Sequence, residues 1–201
     1  MDDARPPLLL VISGPSGVGK DALVERILEL RPEFKRPVTM TTRAPRETET
    51  DGVHYVFVSP EEFRANLEAG ELLEHAEVYG SGSYGLPRAQ LRRALEAGDA
   101  IVRVDIQGVE ALRGLLPGAL FVMLVPGSID DLERHLRERG GAHAEADLRS
   151  RLEAAEREMA RSDLFHHVVQ NVEGDLDGTV ARVLAIADEE RARPDRPPLG
   201  V

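Results

Sequence analysis

Short apolar segments alternate with amphipathic segments along most of the 201-residue chain. The apolar segments predict buried strands at residues 8–13, 100–104, 119–125 and 167–169. The amphipathic segments predict helices at residues 21–30, 88–97, 129–139, 147–161 and 176–191. Strands of this kind that alternate with helices are typical of a parallel sheet covered by helices, so we predict an α/β fold.

Two stretches interrupt this alternation. Residues 37–87 are rich in turn-forming and aromatic residues, and they predict a small β-rich insertion. The remaining core would consist of residues 6–36 and 88–193. Residues 140–146 are irregular and lie between two arginine-rich helix ends, which predicts a mobile lid at about residues 139–150.

Composition limits the classes of function. Hydrophobic residues make up 42% and charged residues 30% of the chain, a balance typical of one globular domain. The formal net charge of -11 disfavours nucleic acids and anionic membranes as partners. Cysteine is absent, and no apolar segment near the start approaches the roughly 20 residues of a membrane span. We expect a cytoplasmic protein whose proline-containing ends are frayed.

A glycine-rich segment between the first predicted strand and the first predicted helix matches the P-loop pattern G-x-x-x-x-G-K. Its residues are Gly14, Pro15, Ser16, Gly17, Val18, Gly19 and Lys20, followed by Asp21 and Ala22. In a P-loop, backbone N–H groups surround the phosphates of a nucleotide and the lysine reaches the terminal ones. An ordinary glycine-rich turn is the alternative, but the position between strand and helix favours phosphate binding. Asp21 replaces the usual hydroxyl residue that faces Mg²⁺, so it is a candidate metal ligand.

Two arginines three positions apart, Arg43 and Arg46, precede Glu49 and Tyr55. Guanidinium groups suit a phosphate with two or more free oxygens, and a tyrosine hydroxyl adds a donor. The spacing alone fits an exposed basic turn equally well.

This arginine segment, together with the P-loop, resembles the guanylate kinase family. The matching residues are Thr39, Thr41, Thr42, Arg43, Pro45, Arg46, Glu49, Gly52, Tyr55, Phe57 and Val58. The resemblance extends from the P-loop to Asn171, and it implies a P-loop NTPase-like domain that transfers a phosphoryl group from ATP to GMP with Mg²⁺. Residues 37–87 would be the GMP-binding subdomain. The implied ligands of the GMP phosphate are Arg43, Arg46, Tyr55, Tyr84 and Gly85.

Guanine presents two adjacent donors, N1–H and the exocyclic amino group, that one carboxylate can accept and that adenine lacks. By the resemblance, Glu74 is this carboxylate and Thr39 donates to O6. Asp105, at the carboxyl end of a predicted strand, would also help to bind guanine. Leu86 replaces a Thr or Ser of the family pattern, and the loop at residues 81–83 is one residue longer, so one hydroxyl contact should be lost.

The resemblance also assigns residues on the ATP side. Arg139 and Arg151 match the lid pattern and would share the charge of the transferred group with Lys20 and Arg43. Asn171 matches a residue near the adenine pocket.

Two departures from the family pattern fall close to the P-loop. Asp21 replaces a hydroxyl residue and Arg103 replaces an acidic residue. Because their charges are opposite, we predict that they form an ion pair between the P-loop and the strand end. Two independent losses are the alternative.

The predicted activity is ATP:GMP phosphotransfer, with ATP and GMP or dGMP as ligands and a monomer or homodimer as the assembly. One alternative is a ribose 1,5-bisphosphate phosphokinase, which shares Gly-Lys-Asp at the P-loop. Another is a non-catalytic guanylate-kinase-like module that binds phosphorylated peptides. Glu74 and Tyr55 favour a guanine site over the first alternative, and Lys20 favours catalysis over the second.

Overall fold

The computed structural model describes residues 6–78, 82–140 and 145–201. Its strands in chain order are β1 (Leu9–Ser13), β2 (Phe34–Lys35), β3 (Met40–Thr41), β4 (Val56–Phe57), β5 (Leu72–Val78), β6 (Gly82–Pro87), β7 (Asp99–Arg103), β8 (Leu120–Pro126) and β9 (His167–Asn171). Its α-helices are α1 (Lys20–Leu30), α2 (Pro60–Glu68), α3 (Arg88–Ala97), α4 (Ile106–Leu115), α5 (Ile129–Gly140), α6 (Glu145–Met159) and α7 (Leu176–Ala192). No helix in these ranges is long and apolar enough to cross a membrane.

The central sheet has five parallel strands in the order β2-β7-β1-β8-β9. Alternate residues of β1 point to opposite faces, as the pleat of a strand requires. Leu10 and Ile12 pack with α1 and α7, whereas Leu9 and Val11 pack with α3 and α4. All four side chains are fully buried. The α/β fold predicted from the sequence is confirmed, and the carboxyl ends of the parallel strands share one edge.

The predicted strands and helices of the core occur within two residues of their expected ends. Helix α4 was not predicted, because Gly108 and Gly114 interrupt its amphipathic pattern. Asp105 nevertheless provides the N-cap, since its side chain accepts a hydrogen bond from the Gly108 N–H at 2.8 Å.

Residues 40–87 contain a second sheet with the strand order β4-β3-β6-β5. Helix α2 packs on this sheet through Phe63, which contacts Met40 and Leu72. Helix α2 is absent from the predicted elements, although Ser59 caps it by accepting from the Glu62 N–H at 3.1 Å. The insertion is therefore a sheet with a helix.

The carboxyl-terminal residues 194–201 pack against the core. Leu199 and Val201 contact the apolar cluster beneath α3 and α4, and the Arg196 side chain donates to the carbonyl of Pro7. A side chain at Gly118 would collide with the Pro197 carbonyl, because a Cβ atom there would lie 2.2 Å from the oxygen. The prediction of a frayed end was wrong here, because composition does not reveal burial of a few apolar residues by distant segments. Residues 1–5 lie outside the described residues.

Candidate active site

The P-loop connects β1 to α1 in a backbone conformation that requires glycine. Gly14 and Gly19 have φ values of 139° and 96°. A Cβ atom on Gly14 would lie 2.1 Å from the Leu124 carbonyl oxygen, and one on Gly19 would lie 2.6 Å from Nδ2 of Asn171. Both the positive φ and the close approach exclude a side chain at these positions.

Lys20 folds back over this loop. Its Nζ donates to the carbonyl oxygen of Gly14 at 2.5 Å and to that of Pro15 at 3.0 Å. Burial lowers the pKa of Lys20 to about 8, against the opposing effect of the Glu158 carboxylate. The ammonium group is therefore held beside the loop that would surround phosphates.

Asn171, at the end of β9, also contacts the loop. Its Nδ2 donates to the Val18 carbonyl at 2.8 Å, and its buried Oδ1 has no hydrogen-bond partner among the described residues. Asn171, predicted to lie near the adenine pocket, therefore contacts the P-loop directly.

Asp21 and Arg103 form the predicted ion pair, with Oδ1 of Asp21 2.8 Å from Nε of Arg103. Ala22 lies beside them in the first turn of α1 and is exposed.

A second polar cluster is centred on Arg43. Its two terminal nitrogens donate to the two carboxylate oxygens of Glu49 at 2.7 and 2.8 Å, and its Nε donates to the Tyr84 hydroxyl at 3.1 Å. The guanidinium carbon also lies 5.3 Å from the centre of the Tyr55 ring. Glu49 further accepts from the Arg46 backbone N–H at 2.8 Å. The cluster contains the side chains of Arg43, Tyr55 and Tyr84, which are predicted to bind a phosphate, whereas Arg46 joins it only through its backbone N–H.

Glu49 is the residue of this cluster to which the sequence analysis gave no role. Hydrogen bonds from Arg43 lower the pKa of Glu49 to about 2, so the carboxylate stays ionised and holds the guanidinium in place. No helix or strand spacing signals this pairing, because the two residues lie six positions apart in a turn segment.

Glu74 on β5 is the predicted guanine-binding carboxylate. Burial raises the pKa of Glu74 to about 7, and the Asp105 carboxylate adds to this effect. A Cβ atom at Gly108 would lie 3.2 Å from Oε2 of Glu74, so the missing side chain leaves room for the carboxylate. Leu86 lies opposite Glu74 in the β5–β6 pairing and is buried, and it offers no hydroxyl. Thr39 is half-buried just before β3.

The residues predicted to form a lid are only partly described. Arg139 belongs to the last turn of α5, but its side chain lies outside the described residues, as do residues 141–144. Arg151 lies on α6 and is half-buried. Helix α6 also carries Glu158, which is close enough to Lys20 to affect its pKa. No local pattern could have revealed Glu158, because helix packing brings it to the P-loop.

The two halves of the site meet at Arg103 and Asp105. Burial has the largest effect on both groups: it lowers the pKa of Lys20 and raises that of Glu74. The charge of Arg103 lowers both pKa values, and the charge of Asp105 raises both. The P-loop lysine and the Glu74 carboxylate are therefore both near enough to Arg103 and Asp105 to respond to their charges.

No group of three or more His, Cys, Asp or Glu side chains within the described ranges could hold a metal ion. Mg²⁺ in kinases takes most of its ligands from substrate phosphates and water, and one or two protein carboxylates are enough. Asp21 carries a carboxylate at the end of the P-loop; its Oδ1 pairs with Arg103, so Oδ2 would be the atom that binds a metal ion.

A parallel-sheet domain with a P-loop and a separate small sheet that carries an arginine and tyrosine cluster is the arrangement of a nucleoside monophosphate kinase, and this chain is a phosphotransferase of that class. It belongs to the guanylate kinase family, whose model, described as guanylate kinase, matches residues 7–190.

Individual relatives agree with this assignment. The chain is 41% identical to the guanylate kinase of Salinibacter ruber, over 88% of this chain and 93% of that one. It is 38% identical to the guanylate kinase of Desulfitobacterium hafniense, over 95% and 94%. It is 44% identical to guanylate kinase 2, chloroplastic/mitochondrial, of Oryza sativa, and spans 66% of that relative. The crystal structure of guanylate kinase from Anaplasma phagocytophilum superposes with a TM-score of 0.69 at 28% identity, over 96% of this chain and 90% of that one.

Proposed function

We propose that this protein transfers the γ-phosphoryl group of ATP to GMP and releases ADP and GDP. The observation that carries the proposal is the position of Glu74 relative to the Arg43 cluster. Glu74 on β5 pairs with Leu86 on β6. Tyr84, whose hydroxyl accepts from Arg43, lies two residues before Leu86 on β6. Two residues along a strand span about 7 Å, so one nucleotide can reach both the carboxylate and the guanidinium.

This arrangement favours GMP over AMP. An ionised Glu74 accepts from N1–H and from the exocyclic amino group of guanine, whereas adenine offers no donor at N1. A buried carboxylate without a partner is unfavourable, so binding of adenine would leave that cost uncompensated. Thr39 would donate to O6 and Asp105 would support the amino group, while Arg43, Arg46, Tyr55 and Tyr84 would hold the phosphate.

ATP would occupy the P-loop, with Lys20 at its β- and γ-phosphates. Mg²⁺ would enter with ATP near Asp21 and would neutralise phosphate charge. In the transfer step an oxygen of the GMP phosphate forms a bond to the γ-phosphorus as the bond from that phosphorus to the bridging oxygen of ADP breaks. No general base is required, because the attacking phosphate is already ionised near neutral pH. Arg43, Arg139 and Arg151 would join Lys20 in stabilising the charge of the transferred group.

The proposed parts of the chain follow from these roles. Residues 37–87 would bind GMP, residues 6–36 and 88–193 would form the core, and residues 139–150 would close over ATP as a lid.

A coupled assay of ADP release tests the proposal with four acceptors, namely GMP, dGMP, AMP and ribose 1,5-bisphosphate. We expect turnover with GMP and dGMP, little with AMP, and loss of GMP turnover in K20M. Turnover restricted to the ribose compound would contradict the proposal, and inactivity with every acceptor would indicate a binding module.

A further inference from the structure

We propose that Arg103 binds the γ-phosphate of ATP and that Asp21 is the positioning residue that holds the Arg103 guanidinium in place. This inference rests on the proposed binding of ATP at the P-loop. It gives the Asp21–Arg103 pair a function in nucleotide binding beyond the ion pair itself.

The location of the pair indicates which phosphate it would contact. Arg103 is the last residue of β7 and pairs with Ile12 of β1, two residues before the P-loop begins at Gly14. Asp21 directly follows Lys20 in the first turn of α1. The side chain at this position of a P-loop lies beside the β- and γ-phosphates. A cation held by Asp21 is therefore at the terminal end of the bound triphosphate.

The electrostatic surroundings support a phosphate ligand. Arg103 ends the strand that pairs with β1, which leads into the P-loop, so its guanidinium and the Lys20 ammonium are two cations near the same loop. Two neighbouring cations repel each other, and a phosphate between them would relieve this repulsion. The transferred phosphoryl group is the anion that must lie between the two halves of the site.

The geometry of the pair leaves donors for such a ligand. A guanidinium has five N–H donors, and the contact with Asp21 uses Nε. Within the described part of the chain, Arg103 has no second ion-pair partner. An exposed ion pair contributes little to stability, so folding alone gives no strong reason for this contact.

Metal-free binding provides the test. Isothermal titration calorimetry in excess EDTA would measure the affinities of ATP, ADP and GMP for the wild type and for R103M. At pH 8, where Glu74 is mostly ionised, we expect R103M to weaken ATP binding at least about tenfold, because a charge-assisted hydrogen bond is lost, and to change ADP and GMP binding by less than about twofold. R26M is the matched control. Arg26 also forms an ion pair, with its Nε 2.9 Å from Oδ1 of Asp177, but neither residue belongs to the candidate site.

Asp21 is tested in the same assay with D21N alone and combined with R103M. In the wild type, D21N releases Arg103 and should weaken ATP binding. In R103M, the unpaired Asp21 carboxylate repels ATP, so the same substitution should strengthen binding. Equal effects of D21N in the two backgrounds would contradict the positioning role.

Three further results would overturn the assignment of Arg103: unchanged ATP affinity in R103M, equal weakening of ATP and ADP, or a wild type that binds metal-free ATP no more tightly than ADP. Thermal unfolding of each variant checks the fold, and R103Q replaces R103M, with the same expectations, if the latter is unstable. Failure of the proposed function would appear separately, as a wild type that binds ATP without phosphorylating GMP.

Discussion

The proposed binding of guanine by the half-buried Glu74 carboxylate predicts that GMP affinity depends on pH. Its pKa is about 7, raised from its ordinary value of 4.5 first by burial and then by Asp105, while Arg103 partly opposes the shift. Only the ionised carboxylate accepts both guanine donors. With this pKa, the ionised fraction falls from about 0.9 at pH 8 to about 0.1 at pH 6, so GMP affinity should fall about tenfold.

Calorimetric titration of GMP between pH 6 and pH 8 measures this change. The GMP phosphate also gains a proton in this range, and E74Q corrects for it, because the variant keeps the phosphate site and lacks the titrating carboxylate. The ratio of wild-type to E74Q affinity should therefore increase about tenfold over the range. E77Q, a change at an exposed residue of the same strand, should follow the wild type.

The same carboxylate should make the ligand-free protein less stable as the pH rises, although the rise in pH strengthens GMP binding. The folded-state pKa is above the unfolded value, so ionisation is less favourable in the folded protein. The penalty is absent well below pH 4.5, grows between pH 4.5 and 7, and reaches at most about 3 kcal/mol above pH 7. E74Q should therefore raise the Tm at pH 8 and change it little at pH 4. Parallel pH profiles of GMP affinity for wild type and E74Q would refute the reasoning, as would a Tm difference that does not depend on pH.

Three other changes have clear expected outcomes. E49Q removes the carboxylate that holds Arg43, so steady-state kinetics should show a KM for GMP at least about tenfold higher, with a smaller change in kcat. G19A places a Cβ against Asn171 at a positive φ, and thermal unfolding should show a loss of about 1–3 kcal/mol together with weaker ATP binding. Deletion of residues 194–201 exposes two apolar contacts of the core, and chemical unfolding should show a loss of about 2 kcal/mol with activity retained.

Matched controls separate the causes of these effects. E62Q changes an exposed glutamate of α2 and should leave the KM for GMP unchanged. G70A has a φ of 71° with nothing within 4 Å of the added Cβ, so it tests strain without a collision. If G70A weakens ATP binding as much as G19A does, the collision with Asn171 is not the cause of the weaker ATP binding in G19A. A truncated chain as stable as the full one would show that the tail contacts contribute nothing.

The sequence was most informative where chemistry depends on neighbouring residues. The P-loop spacing places three glycines and Lys20 in one connection, and the apolar run before it is the buried strand β1. Helix α2 does carry a local signal, since Ser59 and Pro60 mark its start, but the surrounding turns and aromatic residues favour strands.

Contacts between distant segments could not be predicted in this way. Asn171 reaches Val18 across 153 positions, and Glu158 approaches Lys20 because helix α6 packs near the P-loop. Neither residue lies in a local pattern that encodes its contact. The Asp21–Arg103 pair could be predicted because both residues depart from the family pattern and carry opposite charges.

The acidic partners of the site arginines also explain why a net charge of -11 is compatible with anionic substrates. Glu49 holds Arg43, and Asp21 holds Arg103, so part of the excess acid keeps cations in place before a phosphate binds.

Two explanations of the role of Glu49 predict changes in GMP affinity of opposite sign. If the long-range field controlled binding, E49Q would make the protein less negative and would strengthen GMP binding, most of all at low salt. If Glu49 positions Arg43, E49Q weakens GMP binding at every salt concentration, because a misplaced guanidinium loses its aligned hydrogen bonds to the phosphate. The sign of this change at low ionic strength therefore distinguishes positioning by a carboxylate from simple charge attraction.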